Sequence, residues 1–257
     1  MVVVRSFLKE GGDGFTLQHY MNIFSKKLYR DAVLNSVMIS LVSSLIGITI
    51  ALFGANAAHS TTGKARNFFM SILNMTSNFA GVPLAFAFII LFGNVGVMVL
   101  IGKELGIGML ANFNVYSYNG LLLTYVYFQI PLATLLLIPA FDGLRKEWKE
   151  AVQLMGGGKI VFWLKVGIPN LLPGITGTVS ILFSNAVAAY ATAYALMTGN
   201  YSLLPIRISE QFVGDLVQRR EFGSALAVVL ILLMVAMILL NNTILRKQRW
   251  EQVKNER

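Results

Sequence analysis

The 257 residues are 56% hydrophobic and only 13% charged, with a mean hydropathy of +0.66. Soluble domains carry roughly 25% charged residues, so the chain is of the integral membrane class, long enough for several spans. The net charge of +9 sits mostly beside apolar runs and reads as orientation in a lipid bilayer, with no nucleic-acid partner, and the absence of cysteine excludes disulfides and thiolate-held metals.

Residues 1–31 form a basic arm with Arg5, Lys9, Lys26, Lys27 and Arg30. Its opening "MVVVRSF" is too short for a signal peptide or a span. His19 lies here and His59 lies 40 positions on, without a carboxylate cluster nearby in sequence. They read as ordinary loop histidines, and no metal site is expected.

Five stretches then meet the requirement of about 20 apolar residues for a spanning helix. They run from Ala32 to Ala58, Phe68 to Phe92, Tyr116 to Ala140, Gly174 to Met197 and Phe222 to Leu245, and none holds Asp, Glu, Lys or Arg. Gly81 and Pro83 interrupt the second, and Pro131 and Pro139 the third. Proline removes a backbone donor and bends a helix. The expected fold is an all-α, polytopic transmembrane helix bundle over residues 32–245, followed by a tail over 246–257.

Basic residues set the direction. With the tail in the cytoplasm, Lys64, Arg66, Arg145, Lys146, Lys149, Lys159, Lys165, Arg246, Lys247, Arg249, Lys254 and Arg257 fall inside, against Lys103, Arg207, Arg219 and Arg220 in the outer loops. Five spans then place the basic arm outside, where such a segment resists translocation. The chain as given is therefore expected to lack an N-terminal helix, with a genuine five-span protein as the alternative.

Between the third and fourth spans lies "EAVQLMGGGKIVFWLKVGIPNLLPGI". It is not a phosphate loop. Gln153 stands where a leading glycine is needed, Ile160 stands where a magnesium-binding hydroxyl is needed, and no strand precedes it. Leu144, Trp148, Val152 and Met155 instead recur at i, i+4, i+8 and i+11, the apolar stripe of a short amphipathic helix with Asp142 as candidate N-cap. Gly156 to Gly158 stop it, a second short helix follows, and Pro169 and Pro173 turn the chain back toward the membrane. Taken alone this is either an interfacial linker or a docking element for a soluble partner.

Glu150, Ala151, Gly156, Ile168, Pro169, Pro173, Gly174 and Ile175 fit E-A-A, three residues, G, eleven residues, I/L-P, three residues, P-G-I. That pattern resembles the EAA loop of binding-protein-dependent ABC importer permeases. Val152 replaces the third-position Ala, and Gly157 replaces the usual Ala. Residues 34–58, with an Asn-Ser pair at the outer end, resemble the first core span of the family. Residues 184–208 resemble its spermidine/putrescine-type branch, in which a further helix precedes this material.

The resemblance implies a permease subunit in the cytoplasmic membrane of a bacterium or archaeon, with its C-terminus inside. It implies a cytoplasmic ATPase dimer that binds ATP and Mg, a second permease subunit (a homologue or a second copy), and an extracytoplasmic solute-binding protein. This chain itself would hold no cofactor and would not be an enzyme. Glu150 would anchor the docking helix, Ala151 and Val152 would fit the ATPase groove, and Gly156 would allow the turn. Glu150 paired with Lys146 on its own helix is the rival role. Gln129, Asn185, Tyr190 and Tyr194 are polar groups within apolar spans, either pathway-lining or bonded to neighbouring helices. A polyamine-like solute is favoured; aminoethylphosphonate, ferric iron, thiamine or an opine fit related branches. An ion-coupled secondary transporter is the alternative, although the spans lack the ionisable groups such coupling uses. A membrane-embedded enzyme lacks a nucleophile or metal constellation here.

Overall fold

The computed structural model describes residues 1–11, 14–197, 202–213 and 219–255, with side chains through residue 246. Regular structure among them is helical, apart from one backbone bridge between Leu8 and Phe15. The helices are α1 (Val2–Arg5), α2 (Gln18–Ser25), α3 (Lys27–Ser60), α4 (Gly63–Ser77), α5 (Val82–Phe92), α6 (Val97–Glu104), α7 (Gly108–Ala111) and α8 (Tyr118–Asp142). There follow α9 (Lys146–Leu154), α10 (Lys159–Phe162), a π turn (Trp163–Gly167), α11 (Ile168–Val187), α12 (Ala191–Met197), α13 (Leu204–Phe212) and α14 (Arg220–Asn255).

Five helical stretches are long and apolar enough to span a membrane: Lys27–Ser60, Val82–Glu104, Tyr118–Asp142, Lys159–Val187 and Arg220–Arg246. The first, third and fifth match expectation. The second is displaced. Its expected first half lies in α4, where Ser71, Asn74, Thr76 and Asn78 bond backbone carbonyls of the preceding turn. That polar content makes α4 amphipathic. The helix ends at Ser77, Gly81 takes a left-handed φ of +76°, and Pro83 lies in the first turn of α5.

The fourth span is displaced in the other direction. It begins at Lys159, passes through the π turn and ends at Val187. Ile168 N–H donates to Trp163 O five residues back. This wider turn stands immediately before Pro169, where the regular ladder loses a donor. The prolines are thus absorbed within a helix rather than separating a short helix from a span. Residues 188–190 are non-helical, and α12 restarts at Ala191.

The chain divides into two compact units. One comprises Met1–Ser43, Phe79–Tyr125 and Phe183–Met237. In it Ile23, Leu204, Phe222, Ala225, Leu226 and Val229 form a buried core. The basic arm is fastened to this unit. Tyr20 OH donates to Ser6 Oγ at 2.8 Å, and the His19 ring nitrogen Nε2 lies 2.8 Å from Leu8 O. His19 is thus a buried helix residue, not a loop histidine. The Asn35-Ser36 pair has a clear task. Asn35 Nδ2 donates to Ser202 O at 3.1 Å, and Ser36 Oγ accepts from Leu204 N–H at 2.8 Å, supplying an acceptor for the first turn of α13.

The other unit comprises Ser44–Asn78, Val126–Leu182 and Ile238–Arg257. Small residues let its helices approach closely. Ala51, Ala55 and Ala58 of α3 are buried with Leu137, Ile138 and Phe141 of α8 and Leu171 and Leu182 of α11. A Cβ on Gly47 would lie 3.2 Å from the Gln129 Cβ, and one on Gly54 would lie 3.1 Å from the Thr134 side chain. This unit contains α9.

Candidate functional site

Helix α9 runs from Lys146 to Leu154 and separates two kinds of side chain. Leu144, just before it, and Val152 are buried, and Trp148 is half-buried. Met155, the fourth member of the expected stripe, is 78% exposed because the helix has ended. The neighbouring face carries Glu147, Glu150, Ala151 and Leu154, all exposed, at i, i+3, i+4 and i+7. Leu154 is 90% exposed. This face presents two carboxylates beside a small apolar patch.

The end of α9 is closed by backbone bonds. Gly157 N–H donates to Val152 O at 2.8 Å, Gly156 N–H donates to Gln153 O at 3.0 Å, and Gly156 has a φ of +78°. This pair of bonds around a left-handed residue is the Schellman arrangement, which satisfies carbonyls at a helix terminus. Gly157 fits under Val152, and a Cβ on it would stand 2.6 Å from Val152 Cγ1. The two departures from the family pattern, at 152 and 157, therefore face each other.

Asp142 does not cap α9. It ends α8, and Arg145 precedes the first turn of α9. Its carboxylate accepts from Arg66 Nη2 at 2.5 Å and lies 3.1 Å from His59 Nδ1. The residue at the root of the surface segment is thus tied to the end of α3 and the start of α4. His59 is a partner in this cluster rather than a solitary loop residue. Sequence spacing gives no hint of it, because the partners lie 76 and 83 positions from Asp142.

Glu150 is exposed and has no ion-pair partner among the described residues, so the intrahelical pair with Lys146 is not formed. Ala151 is exposed, whereas Val152 faces inward. Pro169 and Pro173 lie in the α10–α11 stretch, and Gly174 follows where a Cβ would meet the Ala140 Cβ at 2.8 Å. Gly174 thereby sets the close approach of α11 to α8. Beside α9 is a cavity of about 500 Å³ lined by Arg145, Lys146, Lys149, Glu150 and Lys159 over Phe162 and Trp163.

The four polar span residues differ in placement. Gln129 is fully buried, and its Oε1 accepts from Ser44 Oγ at 3.3 Å. That is a bond between neighbouring helices. Asn185 is exposed on α11. Tyr190 stands in the non-helical stretch, stacks on Tyr194 at 5.3 Å between ring centroids, and accepts from Ser209 Oγ at 3.1 Å. Tyr194 is 54% exposed. The interruption is held by two further bonds: Tyr125 OH donates to Ala189 O at 2.8 Å, and Thr192 Oγ1 donates to Gly81 O at 3.2 Å. Tyr190 and Tyr194 thus share one place, at a broken helix in the first unit, while Gln129 belongs to the second.

Relatives of known role fit this arrangement. The chain is 27% identical over 242 residues to the thiamine transport system permease protein ThiP of Brucella melitensis, covering 93% of this chain and 42% of that protein. It is 26% identical over 171 residues to the sulfoquinovosyl glycerol transport system permease protein SmoH of Agrobacterium fabrum, covering 66% of this chain and 54% of the relative. These two matches thus span about half of each relative. The spermidine/putrescine transport system permease protein PotC of Haemophilus influenzae is 21% identical over 251 residues, covering 96% of this chain and 90% of its own. Among solved structures, a bacterial ABC transporter importing the acidic polysaccharide alginate has the same fold, with a TM-score of 0.74 at 14% identity over 96% of this chain and 88% of that one. The MetNI methionine ABC transporter, in inward-facing conformations, aligns with a TM-score of 0.58 at 17% identity, covering 86% of this chain and 95% of that one. The sequence profile of the binding-protein-dependent transport system inner membrane component matches residues 32–250. The chain belongs to that family.

Proposed function

We propose that the chain is a pathway-forming permease subunit of an ATP-driven importer and that α9 is its docking element for a cytoplasmic ATPase. The observation that carries this is the outward face of α9. Glu147, Glu150, Ala151 and Leu154 are exposed, and Glu150 has no ion-pair partner among the described residues. Such a face suits a groove on a partner, with Ala151 as the low-relief point and the carboxylates as polar anchors. ATP and Mg are bound by that partner, and the chain itself is not catalytic. A second permease subunit completes the pathway, a solute-binding protein delivers from outside, and segment 142–173 and the C-terminus lie in the cytoplasm.

The solute is a small polar organic molecule, with a polyamine-like compound favoured. The match to PotC along nearly the whole of both chains supports that preference. The thiamine and sulfoquinovosyl glycerol relatives keep other small solutes in view. The spans from sequence carry no formal charge, so selection for a charged solute falls mainly to the binding protein.

A single cysteine at Ala151, in a chain with none of its own, tests the docking. Crosslinking in native membranes with the cognate ATPase present is expected to give one adduct with it. No adduct from folded, inserted protein would overturn the docking reading and leave the segment an interfacial linker.

A further inference from the structure

The cavity beside α9 has a chemistry that the outward face leaves unused. Arg145, Lys146, Lys149 and Lys159 line it, and Glu150 is the only carboxylate among its described lining residues. None of the four cations has an ion-pair partner among the described residues. Like charges gathered around one hollow repel each other, and an anion held there relieves the repulsion. The lining also has an apolar part: Leu144 and Phe162 are buried, and Trp163 is half-buried. Tryptophan with adjacent cations marks the level where a membrane meets water. A free phosphate would use the cations alone. A molecule with an anionic head and an apolar tail would use both the cations and the wall formed by Leu144, Phe162 and Trp163.

We infer that this cavity holds the phosphate headgroup of an anionic phospholipid from the adjoining leaflet. Basic pockets beside membrane helices bind such headgroups through their charge. The lipid headgroup would seat beside Lys146 and Lys149, with Glu150 sharing the lining and Ala151 outside it. The inference rests on segment 142–173 lying at the cytoplasmic face, but not on ATPase docking.

The test uses the full chain in nanodiscs without ATPase, so its failure is separable from failure of docking. Association of spin-labelled phosphatidylglycerol is compared with that of spin-labelled phosphatidylcholine. Phosphatidylglycerol is expected to be preferred, and R145Q/K159Q is expected to weaken its association about tenfold or more. R145K/K159R keeps the preference, which separates charge from misfolding. K27Q/K103Q removes the same charge from the other compact unit and is expected to change association by less than about twofold. Equal binding of the two lipids, or equal loss in R145Q/K159Q and K27Q/K103Q, would overturn the site. Displacement of the lipid by inorganic phosphate at matched ionic strength would overturn the lipid assignment in favour of a soluble anion.

Discussion

Val152 and Gly157 show how side-chain bulk can be moved from one side of a contact to the other. With Val at 152, the space above residue 157 is filled, and a Cβ there would sit 2.6 Å from Cγ1. Gly157→Ala alone is expected to destabilise the loop by about 1–3 kcal/mol through overpacking. Val152→Ala with Gly157→Ala recreates the family's usual pair and is expected to recover most of that loss. Thermal unfolding of the purified protein checks both, and a single variant as stable as the parent would sink the argument. Each substitution is visible in the sequence as a departure, but their contact is not. They lie five positions apart in sequence, and the Schellman closure folds one over the other. Glu150 was legible in kind, as a carboxylate in a known pattern. Its lack of an ion-pair partner among the described residues required the fold.

At the scale of elements, the Asp142 cluster joins the ends of three helices at the root of α9. Arg66 and His59 reach its two carboxylate oxygens. Asp142→Asn keeps the shape and removes the charge, so it is expected to loosen the transmission of motion between α9 and the spans more than it lowers the amount of folded protein. In reconstituted transporter this reads as ATP hydrolysis with reduced transport per ATP. The exchange R66D/D142R restores the ion pair with its charges reversed and is expected to recover part of the coupling. No recovery, with both proteins folded, would count against the cluster as the transmitting joint. The helices themselves were largely legible, since apolar runs of sufficient length have few other uses. Two boundaries were not. Aromatic and aliphatic residues of α4 satisfy a hydropathy count while its Ser, Thr and Asn side chains bond its own backbone. In the fourth span, prolines that ordinarily mark a boundary are accommodated beside a π turn.

At the scale of the whole molecule, the distribution of basic residues fixes an expected orientation that labelling can check. Single cysteines at Lys64 and Leu105 are both exposed positions. A membrane-impermeant maleimide added from outside is expected to label Leu105→Cys in intact cells and Lys64→Cys only after permeabilisation. The reverse pattern would invert the topology and remove α9 from reach of any cytoplasmic ATPase. The family could be recognised from the surface segment because its spacing is set by turns and close contacts, which tolerate few residue types. The solute was not legible, because the spans present neutral surfaces that many solutes could pass. The π turn carries one more consequence. An α-helix advances about 100° per residue, but the i→i+5 turn at Trp163–Gly167 spreads an extra residue over nearly the same rotation as a regular turn. Deleting Val166 would let the turn close to a regular α-helix with the phase of the flanking stretches almost kept, whereas deleting Gly177 from the regular part of α11 would rotate everything before it by about 100°. The Ala151→Cys adduct is expected to survive the first deletion and to disappear with the second while the protein still inserts. The wider turn thus works as slack in the helix, a place where chain length can change without turning the surface segment.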